Sequence, residues 1–308
     1  MCANAGIDRT YEVKNFSVGK FHNPERFTVV PGGKGVNVAR DLSLLGDEVM
    51  LMGFAGDMAR PLMSEKLGQE NVVTDLVPIG EESRVCINIV DPNAGTQTQV
   101  DETSPLVTPT EVETLKRAWR RQMKNAELAV ISGSAPRGVP HHFYHDLVVT
   151  ARKAGVPVIV DARDQLLEYV IDAKPHVITP NRAELQDLMQ ETLTVPDGIA
   201  QAGRNLVSEG IKIVVCTLGR RGAIFVTTAG SWWALAPDVQ ALSPVGSGDA
   251  LVAGFAHASI RRQPVPERIR WAIAAGSAAA TAFGATLENR ELVEELIADI
   301  EINRIDAE

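Results

Sequence analysis

Hydrophobic positions along the second half of the chain fall into two alternating patterns. Short runs of consecutive apolar residues at 128–131, 156–160, 176–178, 211–216 and 223–226 predict buried strands. Between and after them, apolar residues recur every three to four positions, which predicts helices at 142–153, 165–173, 182–189, 198–209, 250–261 and 266–283. Apolar strands separated by helices imply parallel βαβ units with right-handed crossovers.

The first half is less regular. Residues 11–13 and 27–30 read as strands around a polar loop that holds Gly19, Lys20, His22, Asn23 and Pro24. A glycine-rich stretch, Pro31 to Gly35, opens into an amphipathic helix that runs to Leu45 and stops at Gly46. A strand at 48–54 and a helix at 60–67, closed by Gly68, follow. Residues 84–90 and the polar run 97–100 read as a strand pair around the turn 91–95, and two-sided polar strands suit a small exposed sheet. Thr108-Pro109-Thr110-Glu111 is a helix start, with a cap, a proline at the first turn and a glutamate three residues on. The expected architecture is one α/β domain over residues 1–308, a doubly wound, mostly parallel sheet flanked by helices. A small β-sheet lid, built from insertions near 9–30 and 83–104, decorates it.

Composition narrows the function. Of 308 residues, 45% are hydrophobic and 22% charged, as in ordinary globular chains. A formal net charge of −9 argues against nucleic acid as a partner. Three scattered cysteines, Cys2, Cys86 and Cys216, with no CxxC pair, suit a reducing cytoplasm rather than a disulfide frame or zinc site. No apolar run reaches membrane-spanning length and no signal pattern opens the chain, so a cytoplasmic location without membrane contact is expected.

Candidate chemistry centres on Ser243 to Phe255. Glycines there lead into an apolar helix with Asp249 in its first turn. A helix start carries unpaired N–H groups and partial positive charge, so it can hold an anion. Taken alone, Asp249 reads equally as a helix cap. Polar groups follow several predicted strands: Ser132-Gly133-Ser134, Asp161, Thr179-Pro180-Asn181 with Glu184, and Thr217-Leu218-Gly219. In open parallel sheets the ligand binds beyond the strand C-termini, so these loops would share one cleft. Neither the dinucleotide fingerprint nor the P-loop motif fits Gly33-Lys34-Gly35-Val36-Asn37.

Gly32-Gly33-Lys34-Gly35-Val36-Asn37 early and Gly246-Ser247-Gly248-Asp249 late resemble the two signature segments of ribokinase-like (PfkB) carbohydrate kinases. Segments 131–136, 179–185 and 216–223 also resemble that family. The opening Asn4-Ala5-Gly6-Ile7-Asp8 and the GGKG form resemble its hexose-phosphate branch, which includes 1-phosphofructokinase and tagatose-6-phosphate kinase. The resemblance implies an ATP- and Mg²⁺-dependent phosphotransferase and leaves a monovalent cation such as K⁺ open.

It implies roles residue by residue. Asp249 would be the general base, and Gly246, Ser247 and Gly248 the cradle for the migrating phosphoryl group. Asp8, Gly32, Gly33, Asn37 and Ser134 would hold sugar, and Lys20, Lys34 and Arg84 its phosphate. Asn181 and Glu184 would place Mg²⁺ and its waters, although N-cap and capping-box roles explain their spacing as well. Thr217, Gly219 and Gly222 would line the nucleotide. The expected reaction converts fructose 1-phosphate to fructose 1,6-bisphosphate. Tagatose-6-phosphate, fructose-6-phosphate, free-sugar and nucleoside kinases are alternatives, and a catalytically silent sugar-binding protein is a different class. A homodimer through the lid sheet is expected, because exposed sheet edges invite pairing.

Three departures stand out. Ala5 replaces a proline, and only Met1 to Ala3 precede Asn4, so the first strand is either stunted or truncated. Arg137 replaces a proline near the sugar loop, where it either adds a phosphate contact or faces solvent. Thr179 replaces a lysine, which removes a charge from the ATP side.

Overall fold

The fold is that of a computed structural model, which describes residues 1–282 and 284–305. Phe283, the predicted end of the last long helix, lies outside the described residues. In chain order, β1 (Gly6–Glu12) and β2 (Arg26–Gly32) precede α1 (Lys34–Leu44), β3 (Val49–Gly56), α2 (Ala59–Gln69) and β4 (Val72–Ile79). Next come β5 (Val85–Asp91), β6 (Thr96–Asp101), α3 (Pro109–Gln122), β7 (Ala129–Ser132) and α4 (Phe143–Lys153). Then follow β8 (Val158–Asp161), α5 (Asp164–Asp172), β9 (Val177–Ile178), α6 (Arg182–Met189) and α7 (Asp197–Ser208). The chain continues through β10 (Ile213–Thr217), β11 (Ala223–Thr227), β12 (Gly230–Ala234), α8 (Ser247–Ile260) and α9 (Val265–Ala280). It ends with α10 (Arg290–Leu296) and β13 (Ile302–Ile305).

Among the described residues, a seven-stranded sheet has the order β13-β12-β11-β10-β9-β8-β7. Pairing is parallel from β7 to β10 and antiparallel from β10 to β13. Successive residues of one strand face opposite layers. Val158 and Val160 join a core with α3 and α4, whereas Ile159 points into a core formed with α1, α8 and α9. Helices therefore cover both faces, as the alternation of runs predicts.

The short start is accommodated as a strand in all but length. The Cys2 N–H donates to the Met52 carbonyl at 2.9 Å, and the Ser132 N–H donates to the Met1 carbonyl at 3.1 Å. This stub thus joins the parallel β3–β4 pair to β7. Gly35 and Gly53 make room for it, since a side chain on either would strike the Met1–Cys2 backbone.

A separate four-stranded sheet, order β2-β1-β5-β6, stands beside the strand ends. It begins earlier than expected, at Gly6 in a stretch read as a turn, because β1 pairs along its whole length with β2 and from Ile7 onward with β5. Two other differences have physical reasons, and a third is one of position. Strand β4 is interrupted by Asp75 and Pro78 and mixes buried with exposed positions, so it carries no clean period. Strands β12 and β13 are five and four residues long, too short for periodicity, and are held by antiparallel pairing across distant sequence. Gly68, read as the stop of α2, lies inside that helix.

Candidate active site

The C-terminal ends of β7, β8 and β10 carry Ser132, Asp161 and Thr217. Facing them are the start of α8 and the small sheet, and between the three lies a cleft of about 660 Å³. Of the residues picked out from sequence, it brings together Asp8, Gly33, Lys34, Asn37, Arg84, Ser134, Gly246, Gly248 and Asp249.

The start of α8 is left uncapped. Gly246, its N-cap, has φ +82°, a left-handed conformation that suits glycine. A methyl group there would collide with the Ala285 carbonyl. No side chain caps this helix, and the Gly248 and Asp249 amides have no acceptor among the described residues. Asp249 is therefore not spent as a cap. Its carboxylate accepts instead from Asn37 Nδ2 at 2.8 Å, across from the first turns of α1. Only 5% exposed, its carboxyl is pushed up to about 7, chiefly by burial and then by the negative charge of Asp161. The Asn37 bond and Lys34 oppose that rise by favouring the ionised form.

Lys34 opens α1 directly after Gly33, whose φ of +110° lets the chain turn into the helix. Its Nζ lies 3.2 Å from the Asp161 carboxylate, which Ser132 Oγ also contacts at 2.9 Å. Lys34 is 46% exposed and Asp161 8%, so the ammonium keeps one side toward the cleft. Burial works against its charge, but Asp161 and Asp249 outweigh this and hold the ammonium above its ordinary range.

At the opposite end, Asp8 on β1 and Arg84 just before β5 face the same space. Burial raises the Asp8 carboxyl, with Arg84 opposing. Arg84 is braced by the Asn4 carbonyl at 3.3 Å and the Cys86 sulfur at 2.8 Å. Asn4 in turn donates to Ser134 and Ser104. Gly32 does not line the cleft, but a side chain on it would occupy the place of the Asp8 carboxylate.

Asn181 and Glu184 close on each other. Asn181 Oδ1 accepts from the Glu184 N–H at 3.0 Å, and Glu184 Oε2 accepts from the Asn181 N–H at 2.8 Å. The capping box anticipated as one explanation of their spacing is formed. Glu184 still senses the cleft, since burial raises its carboxyl while Lys34 lowers it.

Other expected positions stand apart. Lys20 is exposed, in the loop between β1 and β2. That loop is anchored by its Asn15 and Phe16 amides on Asp91, the last residue of β5, whereas Arg84 precedes the first. Lys20's anchor and Arg84 are thus separated by the length of β5, roughly 20 Å at strand rise. Ser247 begins α8 with its hydroxyl buried and unpartnered among the described residues. Thr217 and Gly219 sit at the end of β10 outside the cleft. At Gly222 a side chain would hit the Ala234 carbonyl, so packing accounts for that glycine. Arg137 turns away from the cleft and latches the loop before α3, through the Ser104 carbonyl at 2.7 Å and Glu81 at 3.1 Å.

Arg40, Arg163 and Asn4 line the cleft without having been singled out as site residues. Arg40, one turn after Asn37 on α1, was within reach of helical periodicity. Arg163 follows a strand end, and Asp161 there was noted without a role. No group of three or more His, Cys, Asp or Glu arranged for a metal occurs among the described residues, and none of their helices is long and apolar enough to cross a membrane.

Residues 3–291 match the sequence pattern of the pfkB family carbohydrate kinases. The chain is similar to 1-phosphofructokinase of Bacillus subtilis (strain 168), with 25% identity covering 98% of both proteins. It is similar to tagatose-6-phosphate kinase of Staphylococcus epidermidis, with 30% identity over 97% of each. Among solved structures, phosphofructokinase-2 from Escherichia coli in complex with potassium matches with a TM-score of 0.91, at 26% identity over 97% of each chain.

Proposed function

Because the chain belongs to the pfkB family of carbohydrate kinases, we propose that it transfers the γ-phosphoryl group of ATP to a hydroxyl of a hexose monophosphate. Fructose 1-phosphate, phosphorylated on O6, is the acceptor we favour. One observation carries this reading. A buried carboxylate beside an uncapped helix start faces, across one cleft, a carboxylate and a braced guanidinium suited to a phosphorylated polyol.

In the proposed chemistry, the acceptor hydroxyl gives its proton to Asp249 as its oxygen attacks the γ-phosphorus. The bond to the β-phosphate oxygen breaks and ADP leaves. An alcohol is too weak an acid to ionise beforehand, so the base must act within hydrogen-bond reach during transfer. The Gly248 and Asp249 amides and the helix dipole would take up charge on the migrating group, with Gly246 giving them their exposed position. Lys34 would bridge the acceptor and transfer regions. Arg84 and Asp8 would fix the substrate by its phosphate and hydroxyls.

Mg²⁺ fits this donor set. A cation that keeps its waters and binds phosphates needs only one or two protein carboxylates. Glu184, with Oε1 outside the capping box, and Asp161 would hold it, largely through water, and it would neutralise phosphate charge when bound. Thr217 and Gly219 would border the nucleotide.

A coupled ADP-release assay over fructose 1-phosphate, fructose 6-phosphate, tagatose 6-phosphate, fructose, ribose and adenosine tests the reading. Turnover is expected with a hexose monophosphate and not with the three unphosphorylated compounds. Preference for free sugar would overturn the substrate assignment, and no ADP release from any would leave a silent binding protein. We further propose a homodimer through the small sheet, whose loop and strands expose Val18, Phe21, Phe27 and Val100. A solution mass of 33.2 kDa, that of one chain, would contradict it.

A further inference from the structure

Two successive turns of α1 and its C-cap residue hold three points of the chain around the start of α8. Asn37, Asp41 and Leu45 are spaced by four and so share one face of the helix. Asn37 holds the Asp249 carboxylate at 2.8 Å. Asp41 Oδ1 accepts from the Leu287 N–H at 2.8 Å. The Leu45 carbonyl accepts from Arg290 Nη1 at 2.9 Å. The segment so gripped contributes Gly284, Ala285 and Thr286 to the cleft wall, and its Ala285 carbonyl packs on Gly246, the N-cap of α8.

Asp41 is the unusual member. It is 0% exposed, and its second oxygen has no partner among the described residues. A buried carboxyl with a single amide partner is a costly way to fill a core position that an apolar side chain could fill. Its benefit must lie in the bond it does make.

We propose that Asp41 is a positioning residue for phosphoryl transfer: by fixing Leu287 it seats Ala285 against Gly246 and sets the phosphate-facing amides of α8 relative to Asp249. Asn37 and Asp41 would thereby tie the base and its cradle to one rigid element. The role in turnover rests on the kinase reading given above, whereas the Asp41–Leu287 bond does not.

The test compares Asp41→Leu, similar in size and apolar, with Asp41→Asn, which keeps an oxygen acceptor. Each is assayed with fructose 1-phosphate and Mg-ATP, and amide hydrogen exchange is followed at Leu287. Misplacement near the chemistry of about 1 Å can cost about 100-fold, so Asp41→Leu should lose at least about tenfold in kcat while KM for the sugar phosphate stays within about threefold. Its Leu287 amide should exchange faster while urea unfolding confirms a folded protein. Asp41→Asn should restore Leu287 protection and bring kcat to within about threefold of the parent. A folded Asp41→Leu with parental kcat would overturn the proposal. So would an inactive Asp41→Asn with Leu287 still protected, since the carboxyl itself would then matter. If the parent released no ADP at all, the kinase reading would fall, and the exchange comparison would still decide whether Asp41 holds the segment. Should Asp41→Leu not fold, an unprotected Leu287 amide with parental kcat in Asp41→Asn would overturn the proposal and an unprotected one with lowered kcat, or a protected one with kcat retained, would support it.

Discussion

Two helices start at the same end of the molecule and treat their free amides in opposite ways. At α6, Asn181 and Glu184 spend their side chains on each other's backbone, which satisfies the helix start from within. At α8, glycines replace capping side chains, and the one carboxylate in the first turn is drawn away by Asn37. Capping stabilises a helix by about 1 kcal/mol. The second arrangement forgoes that gain and leaves donors and a dipole directed into a cleft. Side-chain caps are also absent at α1, α2, α4, α5, α7 and α9, so what sets α8 apart is the cleft its start lines and the carboxylate that Asn37 holds there.

Substitutions at the two starts should therefore separate activity from stability. The largest effect is expected for Asp249→Asn, which removes the proposed base and should lower the single-turnover rate by about 1000-fold. Glu184→Gln, which keeps the capping geometry, should cost about 10-fold, visible as a weaker Mg²⁺ response. Equal losses would dissolve the contrast.

The glycines of α8 divide next. Gly246→Ala meets both a left-handed backbone and the Ala285 carbonyl, so urea unfolding should show a loss of about 1–3 kcal/mol. Gly248→Ala finds nothing within 4 Å of its new methyl and should unfold like the parent. Gly248 lines the cleft, so if its amide cradles the phosphoryl group as proposed, kcat should fall about 10-fold or more. Parental turnover in Gly248→Ala would remove the cradle from the account.

Across the cleft, Arg84→Ala should raise KM for the sugar phosphate by about 10- to 100-fold with a smaller change in kcat. Lys20→Ala, in the exposed loop anchored at the far end of β5, should change it less. A reversed order would move the phosphate contact to the loop.

The smallest effects have opposite signs in stability. Asn181→Ala should destabilise by about 1 kcal/mol. Asp249→Asn should stabilise at pH 8, for a reason rooted in linkage. The folded carboxyl sits at about 7 against an ordinary 3.8, so its contribution is full when protonated and is lost as pH rises from about 4 to about 7. An amide does not suffer that loss. Thermal unfolding of both variants at pH 5 and pH 8 measures the two signs, and an Asp249→Asn gain that does not grow with pH would contradict the burial argument.

How much of this was legible beforehand differs by region. The alternation of apolar runs and helices exposed the parallel half of the sheet, because buried parallel strands read as unbroken apolar stretches. Strand β4 escaped because Asp75 and Pro78 break its pattern, and β12 and β13 because short edge strands owe their existence to distant partners. The family resemblance, more than spacing or composition, marked Asp249, Asn37, Lys34, Arg84 and Asp8 as candidates for one site, and all five line the cleft. That Asp249 is not spent as a cap needed coordinates, since the residue that draws it away, Asn37, is 212 positions distant. For Lys20, motif order did not reveal that its loop is anchored, through Asn15 and Phe16, at the far end of β5. Asp41 left no trace in sequence beyond its spacing of four from Asn37.

The most direct measurement is the pH dependence of kcat for the parent and for Asn37→Ala, from pH 5.5 to 8.5, with fructose 1-phosphate and saturating Mg-ATP. If Asp249 must be ionised to take the proton, log kcat rises with unit slope below the midpoint of that carboxyl, which burial holds well above the ordinary carboxylate range, and then levels. Removing the Asn37 donor, which favours the ionised form, shifts that midpoint upward. A parent profile that is flat across this range, or one that Asn37→Ala leaves in place, would contradict the assignment of Asp249 as the base.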